Sequence, residues 1–158
     1  MCSSDLILVE PIESLGEFMG KFREDPSFVG FNVTIPFKEK VMPLLDHIDP
    51  YAKLVGAVNT VVKENGRVTG YNTDGDGFLH ALIYEGGMNP DGKTITILGA
   101  GGTAKSIAFT LRNYHQDAGS FSGKGIHQLN IWNRSINRAE DLVFKLKSGY
   151  DKLSGKPK

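Results

Sequence analysis

Gly99-Ala100-Gly101-Gly102-Thr103-Ala104 lies between a β-rich run, Thr94-Ile95-Thr96-Ile97-Leu98, and a stretch that reads as helix to about Tyr114. No other feature limits the fold so tightly. A G-x-G-x-x-A pattern at a strand-to-helix turn is the nucleotide-binding arrangement of doubly wound α/β proteins. Gly99 permits the tight turn, Gly101 lets the backbone approach a pyrophosphate, and Ala104 keeps the helix close to the sheet, so that free amides at the helix start face the anion. Alone, the loop reads equally as a glycine-rich packing turn; the flanking strand and helix weigh against that.

A second strand, Gln128-Leu129-Asn130-Ile131-Trp132, follows a polar loop and leads to a helix predicted from Asn137 to about Lys147. An acidic residue at the end of this strand would hold the ribose hydroxyls of NAD. Asn133-Arg134-Ser135 stands there instead, with Arg138 one helical turn on, and a guanidinium beside small polar groups suits the 2′-phosphate of NADP. The plainer alternative is a solvated arginine pair, mildly unfavourable against the positive end of a helix dipole.

The first half alternates helices and strands. Apolar spacing predicts a buried strand at Leu6-Ile7-Leu8-Val9, an amphipathic helix from Ile12 to Phe22 ended by Asp25-Pro26, and a strand from Phe28 to Ile35 stopped by Pro36. A helix is expected over Lys38 to Leu45, with Pro43 a complication, and another over Ile48 to Leu54 after Asp49-Pro50. Val58 to Val62 and Val68 to Asn72, joined through Asn65-Gly66, read as a β-hairpin. A helix from about Asp76 to Tyr84 closes at Gly86-Gly87, where the domain boundary is placed, and the tail after Gly149 is expected to fray.

Three polar positions amid small residues are candidates for chemistry: Lys38 beyond the Pro36 stop, Asn59 in Gly56-Ala57-Val58-Asn59-Thr60, and Asp74 after the hairpin. Thr34, at the end of the preceding strand, joins them. A lysine and an aspartate around a substrate hydroxyl form a proton-transfer pair, since the carboxylate orients the ammonium and each tunes the other. Taken singly, Lys38 reads as a surface helix residue, Asp74 as an N-cap, and Asn59 or Thr34 as turn or strand polar groups. The four histidines show no metal-ligand spacing, so no metal is expected, and Ser106 lacks a nucleophile-elbow pattern. A formal charge of zero gives no nucleic-acid footprint and no membrane-surface patch. One cysteine, Cys2, no apolar run of spanning length and no basic leader point to the cytoplasm.

Four segments in order resemble the signatures of shikimate dehydrogenases: Gly30-Phe31-Asn32-Val33-Thr34-Ile35-Pro36-Phe37-Lys38, Gly56-Ala57-Val58-Asn59-Thr60, Gly70-Tyr71-Asn72-Thr73-Asp74-Gly75 and Gly99-Ala100-Gly101-Gly102. The resemblance runs from about Leu6 to Leu146. It implies an α/β fold with an N-terminal substrate-binding domain, residues 1–87, followed by a Rossmann-like NADP-binding domain, residues 88–158, both incomplete. It further implies reversible NADPH-dependent reduction of 3-dehydroshikimate to shikimate on the way to chorismate and the aromatic amino acids. Lys38 would be the acid/base, Asp74 its partner, and Thr34 and Asn59 ligands of ring hydroxyls. Gly99, Ala100, Gly101, Gly102 and Thr103 would hold the pyrophosphate, and Asn133, Arg134, Ser135 and Arg138 the adenosine phosphate. Family members also carry an initial strand with a Ser-x-Ser motif, which Cys2-Ser3-Ser4 does not supply, and further Rossmann strands with a late glutamine, so a fragment is expected. The rivals are a quinate or dual quinate/shikimate dehydrogenase and a non-catalytic NADP-binding module.

Overall fold

The computed structural model describes residues 14–114 and 125–153, the last five of them as helical backbone only. The expected strand at Leu6–Val9, the start of the first helix and the glycine-rich part of the loop after Asn113 lie outside the described residues. Helix α1, Leu15–Glu24, turns Leu15, Met19 and Phe22 inward at helical spacing and ends at Asp25, before Pro26. Its aromatics stack edge to face on the first strand: Phe18 and Phe22 lie 5.1 and 4.8 Å from Phe31. That strand, β1 (Gly30–Asn32), begins a four-stranded sheet with β2 (His47–Ile48), β3 (Thr60–Glu64) and β4 (Arg67–Tyr71), in the order β1-β3-β4-β2. The hairpin β3–β4 turns through Asn65 and Gly66 with φ of 51° and 75°, as expected for an Asn-Gly turn. Val33, Val41, Ala52, Val58, Val61 and Val68 fill the core between sheet and helices.

Three expectations here need correction. The strand predicted over Phe28–Ile35 pairs only from Gly30 to Asn32, because its partner β3 starts at Thr60; a last bond, Val33 N–H to Asn59 O at 2.7 Å, ends the ladder. No α-helix spans Lys38–Leu45. Residues 35–40 are turns and Met42–Leu44 is a single 3₁₀ turn, since Pro43 has no N–H to continue an α-helical ladder. The helix expected from Ile48 begins only at Pro50, because His47 and Ile48 pair with β4 as the two-residue parallel strand β2, which the sequence reading did not contain. Helix α2, Pro50–Val55, follows its local code: Asp49 caps it by accepting from Tyr51 N–H at 2.9 Å, and Gly56 ends it at φ 73°.

Helix α3, Asp74–His80, starts two residues earlier than expected and runs into a π-type turn over Ala81–Glu85. The second sheet then pairs β5 (Thr94–Leu98) with β6 (Gln128–Trp132) in parallel, Leu98 opposite Trp132. Helices α4, Gly102–Asn113, and α5, Ile136–Leu153, accompany it, and α5 continues past Gly149, where fraying was expected. Val55 and Ala57 from the first half share one apolar cluster with Ala100, Ala108, Phe109, Leu142 and Leu146, so the two halves of the chain meet along a common seam. Among the described residues no helix is long and apolar enough to cross a membrane.

Candidate functional site

The register of the first sheet puts Asn32, Thr60 and Tyr71 in one row at its end. Each candidate residue lies just outside that row: Asn59 immediately before Thr60, Asp74 three residues after Tyr71, and Lys38 six residues after Asn32. Backbone bonds hold these exits together, from Asn59 N–H to Tyr71 O at 3.0 Å and from Val58 N–H to Lys38 O at 2.8 Å. A lysine and an aspartate 36 residues apart therefore meet because three strands end side by side.

The meeting is close. Lys38 Nζ donates to Asp74 Oδ2 at 2.6 Å, with the two side chains 13% and 16% exposed. Asn59 Nδ2 donates to Asp74 Oδ1 at 2.7 Å, while Asn59 Oδ1 accepts from Thr73 N–H at 3.0 Å, which fixes the amide's orientation. Burial works to raise the Asp74 carboxyl, but bonds from Lys38, Thr103 and Asn59, together with the Lys38 charge, outweigh it and hold its pKa below the ordinary value. The carboxylate is thus ionised at neutral pH and able to orient an ammonium. Thr34 is exposed nearby, its carbonyl accepting from Phe37 N–H at 2.9 Å; its hydroxyl takes no part in the bonds joining Lys38, Asn59 and Asp74.

The glycine loop packs directly against this pair. Gly99 adopts φ 126°, a conformation open to glycine, and its N–H reaches Trp132 O at 2.7 Å. A side chain on Gly102 would press on Ala57 Cβ at 3.2 Å and meet Lys38 Cδ in ordinary contact at 3.5 Å, so the loop lies against both residues. Ala100 is buried behind it, whereas nothing lies within 4 Å of the place a Gly101 side chain would take. Gly101 begins α4 without a side-chain cap, leaving first-turn amides for another acceptor. Because β5 and β6 are parallel, Asn133, Arg134 and Ser135 leave the sheet at the same edge as Gly99. Asn133 Nδ2 donates to Ser135 O at 2.8 Å, and Arg134, Ser135 and Arg138 are exposed around the start of α5.

Sequence reasoning missed the polar seam behind the pair. Ser106 is fully buried; its hydroxyl donates to Asn72 Oδ1 at 2.8 Å and accepts from Gly75 N–H at 2.9 Å. Asn72 Oδ1 also accepts from Asp74 N–H at 3.1 Å, and its Nδ2 reaches Ala57 O at 2.9 Å. Tyr51 OH donates to Ser106 O at 3.0 Å and meets Thr110 Oγ1 at 2.6 Å. Burial pushes the Tyr51 phenol above its ordinary pKa despite its bonds to Thr110 and Ser106, which keeps it neutral. The available signal was the spacing of Thr103, Ser106 and Thr110, hydroxyl residues that recur along one side of α4.

Residues 4–61 match the family model described as the shikimate dehydrogenase substrate binding domain. A shikimate dehydrogenase (NADP(+)) of Desulforamulus reducens is 43% identical over 117 residues, which are 74% of this chain and 37% of that protein. The shikimate 5-dehydrogenase of Thermus thermophilus, solved with NADP(H) and shikimate, superposes with a TM-score of 0.73 at 37% identity, covering 87% of this chain and 47% of its own. A quinate dehydrogenase from Corynebacterium glutamicum, solved with NAD, gives a TM-score of 0.70 at 30% identity over 90% of this chain and 45% of its own. The chain spans less than half the length of these relatives.

Proposed function

Since the chain belongs to the shikimate dehydrogenase family, we propose that the protein reversibly reduces 3-dehydroshikimate to shikimate with NADPH, on the route to chorismate and the aromatic amino acids. The observation that carries this is the Lys38–Asp74 pair, 2.6 Å apart and packed beneath the glycine loop. The boundary after Gly87 divides a substrate-binding part, 1–87, from a nucleotide-binding part, 88–158. Cytoplasmic placement agrees with such a biosynthetic role.

The residues present fit NADP. The open side of Gly101, the uncapped first turn of α4 and the exposed Arg134 and Arg138 on the neighbouring loop offer a backbone cradle for a pyrophosphate and guanidinium groups for a 2′-phosphate. NADPH, when bound, supplies the hydride. Lys38, oriented by Asp74, donates a proton to the carbonyl oxygen during reduction and recovers it from the hydroxyl during oxidation. Asp74 orients Lys38 and stabilises its charge; Asn59 holds Asp74 and, with Thr34, faces the ring hydroxyls.

The test is NADPH titration of the purified protein, then an assay of shikimate oxidation. Lys38→Ala is expected to lower turnover by about 10²–10⁴-fold, the usual worth of general acid/base catalysis, while NADPH affinity stays nearly intact. Equal losses in both would argue against the role given to Lys38. Binding without turnover in the unaltered protein favours a cofactor-binding module. The likeness to a quinate dehydrogenase makes quinate the second substrate to try, and strong NAD-linked quinate oxidation would displace the shikimate reading.

A further inference from the structure

The Lys38–Asp74 pair is not a pair alone. Thr103, from the first turn of α4, inserts its hydroxyl between the two groups: Lys38 Nζ donates to Thr103 Oγ1 at 3.1 Å, and Thr103 Oγ1 donates to Asp74 Oδ2 at 3.0 Å. With the direct contact of 2.6 Å the three heavy atoms form a closed triangle. A hydroxyl has one proton to give and two lone pairs, so it accepts from the ammonium and donates to the carboxylate at once. We propose that Thr103 is a positioning residue that holds Lys38 and Asp74 in their working geometry and ties them to the helix that receives the cofactor's phosphates. The inference rests on the function proposed above.

Two of the three N–H directions of Lys38 are occupied by Asp74 and Thr103, which leaves the third for a reacting oxygen. When that proton leaves, Lys38 becomes a neutral amine with a lone pair and no longer needs an acceptor. The Thr103 proton then swings from Asp74 Oδ2 to Lys38 Nζ, so a single hydroxyl serves both protonation states by rotating about one bond. Neither Asn59, which donates to the other carboxylate oxygen, nor Ser106, which is bonded to Asn72 and Gly75, reaches both partners in this way. Since the hydroxyl is held by the pair, the Thr103 contribution to a phosphate comes from its backbone N–H. One residue therefore touches both halves of the site.

The test is a ¹³C-carboxyl NMR titration of the 158-residue chain, with the Asp74 resonance assigned through Asp74→Asn. Thr103→Val keeps the shape and removes the hydroxyl; Thr103→Ser keeps the hydroxyl. The Val variant is expected to raise the Asp74 midpoint by roughly half to one pH unit, the equivalent of one lost hydrogen bond to a charged group partly screened by solvent, with Ser close to the parent. Turnover is expected to fall about tenfold in Val at nearly unchanged KM for shikimate, with recovery in Ser. An Asp74 midpoint that does not move in Val, or a Ser variant as altered as Val, overturns the role. A shifted midpoint in a protein that turns over neither shikimate nor quinate upholds the triangle and sinks the proposed function instead.

Discussion

Gly75→Ala sets two opposing effects against each other on one helix. Propensity alone favours alanine, by up to about 1 kcal/mol in a helix interior. Gly75, however, is where α3 crosses α4: a methyl there would fall on Thr110 Oγ1 and lie 2.9 Å from both the carbonyl and the hydroxyl oxygen of Ser106. Thr110 Oγ1 is already engaged by Tyr51, and the Ser106 carbonyl belongs to a helix backbone that cannot step aside. The first turn of α3 must lift, stretching the buried bond from Gly75 N–H to Ser106 Oγ. Overpacking and a compromised buried bond outweigh the propensity gain, for a net loss of about 2–4 kcal/mol. For a chain of this length that corresponds to a fall in Tm of roughly 5–15 °C. Gly77, two residues along the same helix, is the control: nothing lies within 4 Å of its added methyl, and Gly77→Ala should raise Tm by roughly 1–3 °C. Thermal unfolding followed by circular dichroism, with urea titrations at constant m-value, reads both variants. Equal or higher Tm in Gly75→Ala, or shifts of the same sign in the two, would refute the packing of α3 on α4.

Folding lowers the pKa of Asp74, so its ionised form stabilises the fold at every pH above the unfolded carboxylate value of about 4, and that contribution fades as acid titrates the folded group. Asp74→Asn should therefore be less stable than the parent in denaturant titrations at pH 7, with the gap closing below pH of about 4; a gap that is constant from neutral to acid pH contradicts the sign. Arg134→Ala removes the guanidinium assigned to the 2′-phosphate and should weaken NADPH by about tenfold to a hundredfold, the worth of a charged hydrogen-bonded contact, while leaving NADH within about twofold in the same fluorescence titration. Equal weakening of both cofactors would move the 2′-phosphate elsewhere.

Elements with a local code were legible from the residues. The β5 and β6 boundaries and the Asn65-Gly66 hairpin turn rest on period-two alternation and positive φ, both decided within a few residues. The order of four motifs was likewise enough to place the chain in its family. Where neighbours far along the chain decide, the reading failed: β1 is short because β3 begins at Thr60, and β2 exists only through β4. The 35–45 segment differs for a nearer reason, since Pro43 breaks the α-helical ladder within it.

The site divides in the same way. Lys38, Asn59, Asp74 and the glycine loop were recognisable as residues, but each alone admitted an ordinary explanation. Folding made them a site, since three strand ends must align before an ammonium lies 2.6 Å from a carboxylate, and the two halves must pack through Val55 and Ala57 before the glycine loop lies against Lys38. Thr103 was legible as a residue of the pyrophosphate loop and Ser106 only as a serine without a nucleophile-elbow pattern; the partners of their hydroxyls were not. Hydrogen bonds are short-ranged and directional, so what those hydroxyls do depends on side chains some thirty residues away, which no local pattern encodes.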